Sequence, residues 1–149
     1  MTSYVSAQIR REVESRANHL CEYCLAHEDD TYLGCQVDHV ISEKHGGATE
    51  ADNLSYACTF YNRAKGADIG SVVASSSDFT RFFNPRTDHW ADHFALNGAL
   101  IDACSPVGEA TVKILRFNEE GRVLERESLI DIGRYPSRQA KHHLSSSGD

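Results

Sequence analysis

Apolar residues recur at helical spacing over residues 6–18, where Ile9, Val13 and Ala17 share one face. Arg10, Arg11, Glu12, Glu14 and Arg16 fill the other face, and Ser6 is placed to cap the first turn. This pattern predicts an amphipathic helix. Cys21-Glu-Tyr-Cys24 predicts a tight turn, followed by a polar loop over 27–30. Aromatic and β-branched residues at Tyr32, Val37, Val40 and Ile41 predict a strand over 31–41. Residues 42–52 form a loop around Gly46-Gly47. Residues 54–65 predict a short strand running into a helix that Gly66 ends.

The second half is less regular. Residues 71–78 are Ser-rich and expected to be mobile, and 79–92 are aromatic and irregular around Pro85. A hairpin is predicted over 93–102, with Asn97-Gly98 suited to a type I′ turn. Helices are predicted over 109–117 and 123–132, and the polar stretch 136–149 is expected to be a disordered tail. The pattern as a whole is α+β. It predicts one domain over residues 1–135, with a core at 19–70, an extension at 79–133 and no internal repeat.

The 149 residues suffice for a real hydrophobic core, and no apolar run approaches the ~18 residues of a membrane span. The N-terminus has no apolar signal-peptide core, so a cytoplasmic protein that does not engage the membrane is expected. Five cysteines make an odd count, which argues against a disulfide framework and leaves Cys21-x-x-Cys24 for metal or redox chemistry. The formal net charge of −7 denies the chain a bulk basic footprint. Attraction to a polyanion must then come from a local patch or a bound cation.

Four features fall close together: Cys21-x-x-Cys24, Asp38-His39, Asn53-Leu54 and Cys58-x-x-Tyr61-Asn62-x-x-Lys65. Alone, each is bland: Asn53 reads as a turn residue and Asn62 as solvated helix surface. Together they describe a strand ending in Asp-His, a Gly-Gly loop, Asn-Leu and a helix bearing Asn, which is a ββα metal finger. Phosphodiester cleavage needs a nucleophile, neutralised phosphate charge and a stabilised leaving group. Asp38 offers a hard anionic oxygen and Asn62 a neutral amide oxygen, and such ligands suit Mg²⁺.

These residues closely resemble the HNH endonuclease family, in the variant whose third signature residue is Asn. His39, Asn53 and Asn62 fall on the three signature positions at intervals of 14 and 9 residues. The resemblance implies a ββα-metal (His-Me) finger with an N-terminal helix and a hairpin-plus-helices extension. It implies His39 as the general base, for which an ordinary imidazole is suited at neutral pH. Adjacent strand residues point to opposite faces, so the resemblance also implies that the strand ends or bulges at Asp38-His39. Asn53 would tie the loop to the backbone near His39, and Asp38 with Asn62 would hold Mg²⁺ or another divalent cation such as Mn²⁺ or Ni²⁺.

The family often holds a structural zinc with two Cys-x-x-Cys pairs. Here Cys21, Cys24 and Cys58 match, while Tyr61 stands where the fourth thiolate belongs. A zinc would need a substitute ligand: water, His19, His27 or a repositioned Cys35. The other reading is three reduced cysteines packed beside Tyr61, with Cys35 and Cys104 in the core. Segments around Phe82-Phe83-Asn84-Pro85-Arg86 and Pro106 to Asn118 extend the likeness to stand-alone bacterial HNH proteins over residues 8–133. Lys44, His45, Arg63 and Lys65 are the expected phosphate contacts. The expected activity is hydrolysis of DNA, in preference to RNA, with nicking and 5′-phosphate products among the family's habits. An idle nucleic-acid-binding module of the same fold is the alternative, and a small zinc-stabilised interaction domain is a third reading.

Overall fold

The structure, a computed structural model, describes residues 4–145. Helix α1 spans Ala7–Arg16, and the Ser6 hydroxyl accepts the Ile9 amide as its cap. Its buried residue Val13 packs with Val5, Ala17, Leu54 and Tyr56, which seats the helix on the first strand pair. The turn that follows is closed by the Leu25 amide donating to the Cys21 carbonyl and the Cys21 amide to that of Ala26.

Strands β1 (Cys35–His39) and β2 (Leu54–Cys58) pair antiparallel, with Asp38 opposite Ser55 and His39 opposite Leu54. The strand expected over 31–41 is shortened to β1. Leu33 and Gly34 both adopt positive φ, and that left-handed turn cannot continue an extended ladder. Helix α2 (Thr59–Lys65) follows β2 directly and ends at Gly66, whose φ is 53°. The β1–β2–α2 unit is the expected ββα finger.

The Ser-rich stretch expected to be mobile is instead partly paired: β3 (Gly70–Val72) and β4 (Phe79–Arg81) form an antiparallel hairpin. Strands β5 (Phe94–Asn97) and β6 (Leu100–Ala103) form the predicted second hairpin. Its turn is one residue later than expected. Asn97 pairs with Leu100, so Gly98-Ala99 are the central residues. Gly98 alone carries positive φ there, as a type II′ turn asks of its first central residue.

Helix α3 (Pro106–Leu115) begins earlier than predicted because Ser105 accepts the Gly108 amide and Pro106 occupies the first turn. Helix α4 spans Glu120–Asp131. The central core gathers Tyr23, Tyr61, Phe83, Trp90, Phe94 and Phe117, donated by finger and extension alike.

Two further expectations are corrected. Cys104 is exposed at the end of β6 and not in the core. The stretch 136–145 is ordered, for Ala140 is fully buried and residues Lys141–His143 form a 3-10 turn. The expected tail beyond residue 145 lies outside the described residues. Among the described residues, no helix is long and apolar enough to cross a membrane.

Candidate active site

The end of β1 brings Asp38 and His39 to the mouth of a cleft of about 400 Å³, which Ser42, Glu43, Lys44 and Asn62 also line. The two adjacent strand residues share the cleft because His39 is the last paired residue of β1. Each is only 9% exposed.

The His39 imidazole is held by the loop that follows. Its Nε2 lies 2.9 Å from the Thr49 hydroxyl and 3.7 Å from the Glu43 carboxylate. Sequence reasoning misses both Thr49 and Glu43, which look like ordinary polar loop residues. Asn53 makes the loop ties expected of it. Its Oδ1 accepts the Ile41 amide at 3.0 Å, and its Nδ2 donates to the carbonyls of Ile41 (2.9 Å) and Ala48 (2.8 Å). Gly47 makes that closure possible, since a Cβ there would sit 1.7 Å from the Ile41 oxygen and 2.8 Å from Asn53 Nδ2.

Lys65 is an expected phosphate contact, and the structure corrects this. The residue is 2% exposed, and its ammonium points inward from α2. Nζ donates to the His39 carbonyl at 2.7 Å and pairs with Asp38 Oδ2 at 2.9 Å. Burial pushes the Asp38 carboxyl above its ordinary value, although the Lys65 charge opposes that shift. Asn62 lies on the cleft side of α2, where its Nδ2 donates to Gln36 Oε1 at 2.7 Å.

Of the remaining expected phosphate contacts, Lys44 lines the cleft, while His45 is exposed beside it and is not part of its wall. Arg63 lies elsewhere. It borders a separate groove of about 700 Å³ between α2 and α3, with Phe60, Lys113 and Arg116.

Cys21, Cys24 and Cys58 converge, with their sulfurs all within 4.8 Å of one another and those of Cys24 and Cys58 at 3.7 Å. The backbone amides of Tyr23, Cys24 and Cys58 donate to the Cys21 sulfur at 3.4, 3.4 and 3.3 Å. Burial opposes a thiolate at Cys24, but hydrogen bonds from Cys21 and Cys58 and the charge of Arg126 hold that thiol well below its ordinary value.

The two histidines expected as substitute ligands are engaged elsewhere, whereas the Cys35 thiol lies close enough to Cys58 to help raise its titration. His19 pairs with Glu28 at 2.7 Å, and His27 Nδ1 accepts the Asp29 amide. Cys35 faces Cys58 across the ladder without joining the trio. Tyr61 stands buried beside the sulfurs, and its hydroxyl accepts Arg126 Nη1 at 3.1 Å.

The segment carrying these sites, residues 21–68, matches the family model for HNH endonuclease. Over those residues the chain is similar to the HNH endonucleases, a family of nucleases in general. No curated protein and no solved structure gives a match.

Proposed function

We propose that this protein is a metal-dependent endonuclease that hydrolyses phosphodiester bonds in DNA. The observation that carries this reading is the shared cleft of Asp38, His39 and Asn62. The donor set there fits a hard divalent cation, Mg²⁺ first, with Mn²⁺ or Ni²⁺ as substitutes. Asp38 would supply a carboxylate oxygen, with Oδ2 already facing Lys65. Asn62 would supply Oδ1, since its Nδ2 is committed to Gln36. When bound, such a cation neutralises phosphate charge and stabilises the leaving oxygen.

His39 is the general base in this reading. With the proton on Nε2, directed at Thr49 and Glu43, Nδ1 is the nitrogen that takes the proton of the attacking water. Asn53 holds the loop that carries Thr49, and Lys65 fixes the strand end by gripping the His39 carbonyl. Lys44 meets phosphate at the cleft and His45 beside it. Arg63, with Lys113 and Arg116, takes the strand onward across α2. A helix is about 10–12 Å wide with its side chains, which spans roughly three nucleotides at ~3.4 Å of rise each. Local cations of this kind are needed in a chain of net charge −7.

The three cysteines fit a structural Zn²⁺. Tetrahedral sulfurs at ~2.3 Å from zinc lie about 3.8 Å apart, close to the 3.7 Å between Cys24 and Cys58. Finger and extension act as a single domain, and the cytoplasm is the proposed compartment.

Incubating the purified chain with supercoiled plasmid in Mg²⁺, Mn²⁺ or Ni²⁺ tests the reading. Nicked or linear product that disappears in chelator is expected. DNA binding without cleavage in any of these metals would make it an idle module, and cleavage of RNA alone would overturn the substrate.

A further inference from the structure

The hairpin of β3 and β4 leaves one face uncovered. Register and alternation put Gly70, Val72, Phe79 and Arg81 on that face, with Val72 directly opposite Phe79. Phe79 is 64% exposed and Val72 54%, although both are large apolar side chains. The other face carries the half-buried Ser71 and Thr80, and the hairpin packs on α3. The Phe79 ring is held in place, for it reaches across to β3 at Gly70, where a Cβ would sit 2.7 Å from Phe79 Cζ. Arg81 is paired with Asp88 at 2.7 Å, so the face offers apolar surface more than phosphate charge.

Two links join this face to the proposed site. Ala67 lines the cleft, and the chain runs from it to Gly70 within a reach of at most about 11 Å. Lys113, which borders the basic groove with Arg63 and Arg116, donates from Nζ to the Val72 carbonyl at 3.3 Å. Phosphate charge is thus met in the groove while an aromatic ring stands beside it, the combination that holds single-stranded nucleic acid. In a duplex the base faces are already stacked on one another, and only an unpaired base has a face to give the ring. We propose that Phe79, flanked by Val72, is a stacking platform for an unpaired base, and that the preferred substrate is DNA with a single-stranded stretch beside the cut. The inference rests on the nuclease reading above and names its substrate.

The test uses the full chain as wild type, Phe79→Ala, Phe79→Leu and Phe79→Trp. Binding is read without added metal, by fluorescence anisotropy, on a labelled DNA strand of about 12 nucleotides, within the usual span of such sites, and on its blunt duplex. Cleavage of both, and of the duplex extended by a single-stranded tail, is read in Mg²⁺ or Mn²⁺. Wild type should bind and cut the strand and the tailed duplex in preference to the blunt duplex. Phe79→Ala should weaken single-strand binding about 5- to 150-fold, the worth of one stacked base, and leave blunt-duplex binding unchanged. Phe79→Leu keeps apolar bulk without an aromatic face and should fall near Phe79→Ala, whereas Phe79→Trp should match or exceed wild type.

If no substrate is cut while Phe79→Ala still loses single-strand binding, the nuclease reading falls and the platform stands. If wild type cuts and Phe79→Ala binds and cuts the strand equally well, the inference alone is overturned, and Phe79 is a cover for Gly70. An equal loss on strand and blunt duplex also overturns it, since the ring would then be a duplex contact. Should Phe79→Ala not fold, Phe79→Leu decides. Weakened binding of the strand alone supports the platform, and unchanged binding overturns it.

Discussion

Lys65 Nζ lies 2.9 Å from Asp38 Oδ2 and 2.7 Å from the His39 carbonyl oxygen, so one buried cation holds both cleft residues from behind. This grip explains how two adjacent strand residues share one cleft, and it makes the lysine a positioning residue.

Replacing Lys65 with Met should therefore destabilise the protein by about 3 kcal/mol, the cost of stripping one partner from a buried pair. The sign with pH follows from Asp38. Burial raises its folded-state titration above the unfolded value, so its charged form costs stability. The deficit of Lys65→Met should be full at neutral pH and should shrink as pH falls through that raised titration. Adding Asp38→Asn should recover most of the loss. Urea melts at several pH values check both statements, and a deficit that ignores pH would detach the lysine from Asp38.

His39→Ala should lower the cleavage rate by about 10²- to 10⁴-fold, the usual contribution of a general base. Metal and DNA affinities should change little, because Asp38, Asn62 and Lys44 remain. Single-turnover cleavage with parallel binding titrations separates the two effects. Loss of metal affinity in this variant would make His39 a ligand.

Gly47→Ala tests the loop. The added methyl collides with the Ile41 carbonyl and the Asn53 amide, so the closure that carries Thr49 must shift. A misplacement of ~1 Å can cost about 10²-fold in rate. The expected result is a folded protein, with circular dichroism near wild type and cleavage severely reduced. Wild-type turnover would show that the loop does not govern His39.

Reversing Arg63, Lys113 and Arg116 to Glu should raise KM for long DNA and flatten its salt dependence. The log–log slope should fall by about 0.9 for each phosphate no longer neutralised. Binding titrations between low and moderate salt measure this. An unchanged slope would remove the α2–α3 groove from the substrate path.

The ββα unit was legible in the sequence because its signals are local. Asp38-His39, Asn53 and Asn62 sit at short intervals within a single strand–loop–strand–helix run, and Ser6 and Gly66 punctuate neighbouring elements, while Gly98 marks the second hairpin one residue off the expected register. The supporting contacts were not legible, because they join residues far apart in the chain. A lysine near a helix end reads as solvated, and nothing local marks Lys65 for burial. Arg126 looks like one charge among several on α4, yet it meets Tyr61 across 65 positions. The stretch 136–145 meets the rest of the fold through long-range contacts: the preceding Tyr135 hydroxyl donates to the Cys24 carbonyl at 2.7 Å, and Ala140 and Leu144 pack in the core. Polar composition around it predicts disorder.

That last hydrogen bond bears on any attempt to reuse the ββα finger as a portable part. Residues 21–68 contain the side chains proposed for metal binding and proton transfer, and a fusion designer would be drawn to that segment. Cut there, it loses the Trp90 indole that donates to the Tyr23 carbonyl, the Phe117 ring against Tyr61 and the Tyr135 hydroxyl on Cys24. The excised cassette would then expose buried aromatic surface and is expected to aggregate. The smallest graft expected to stay folded runs from the Ser6 cap of α1 to Leu144, which packs against the far side of the core.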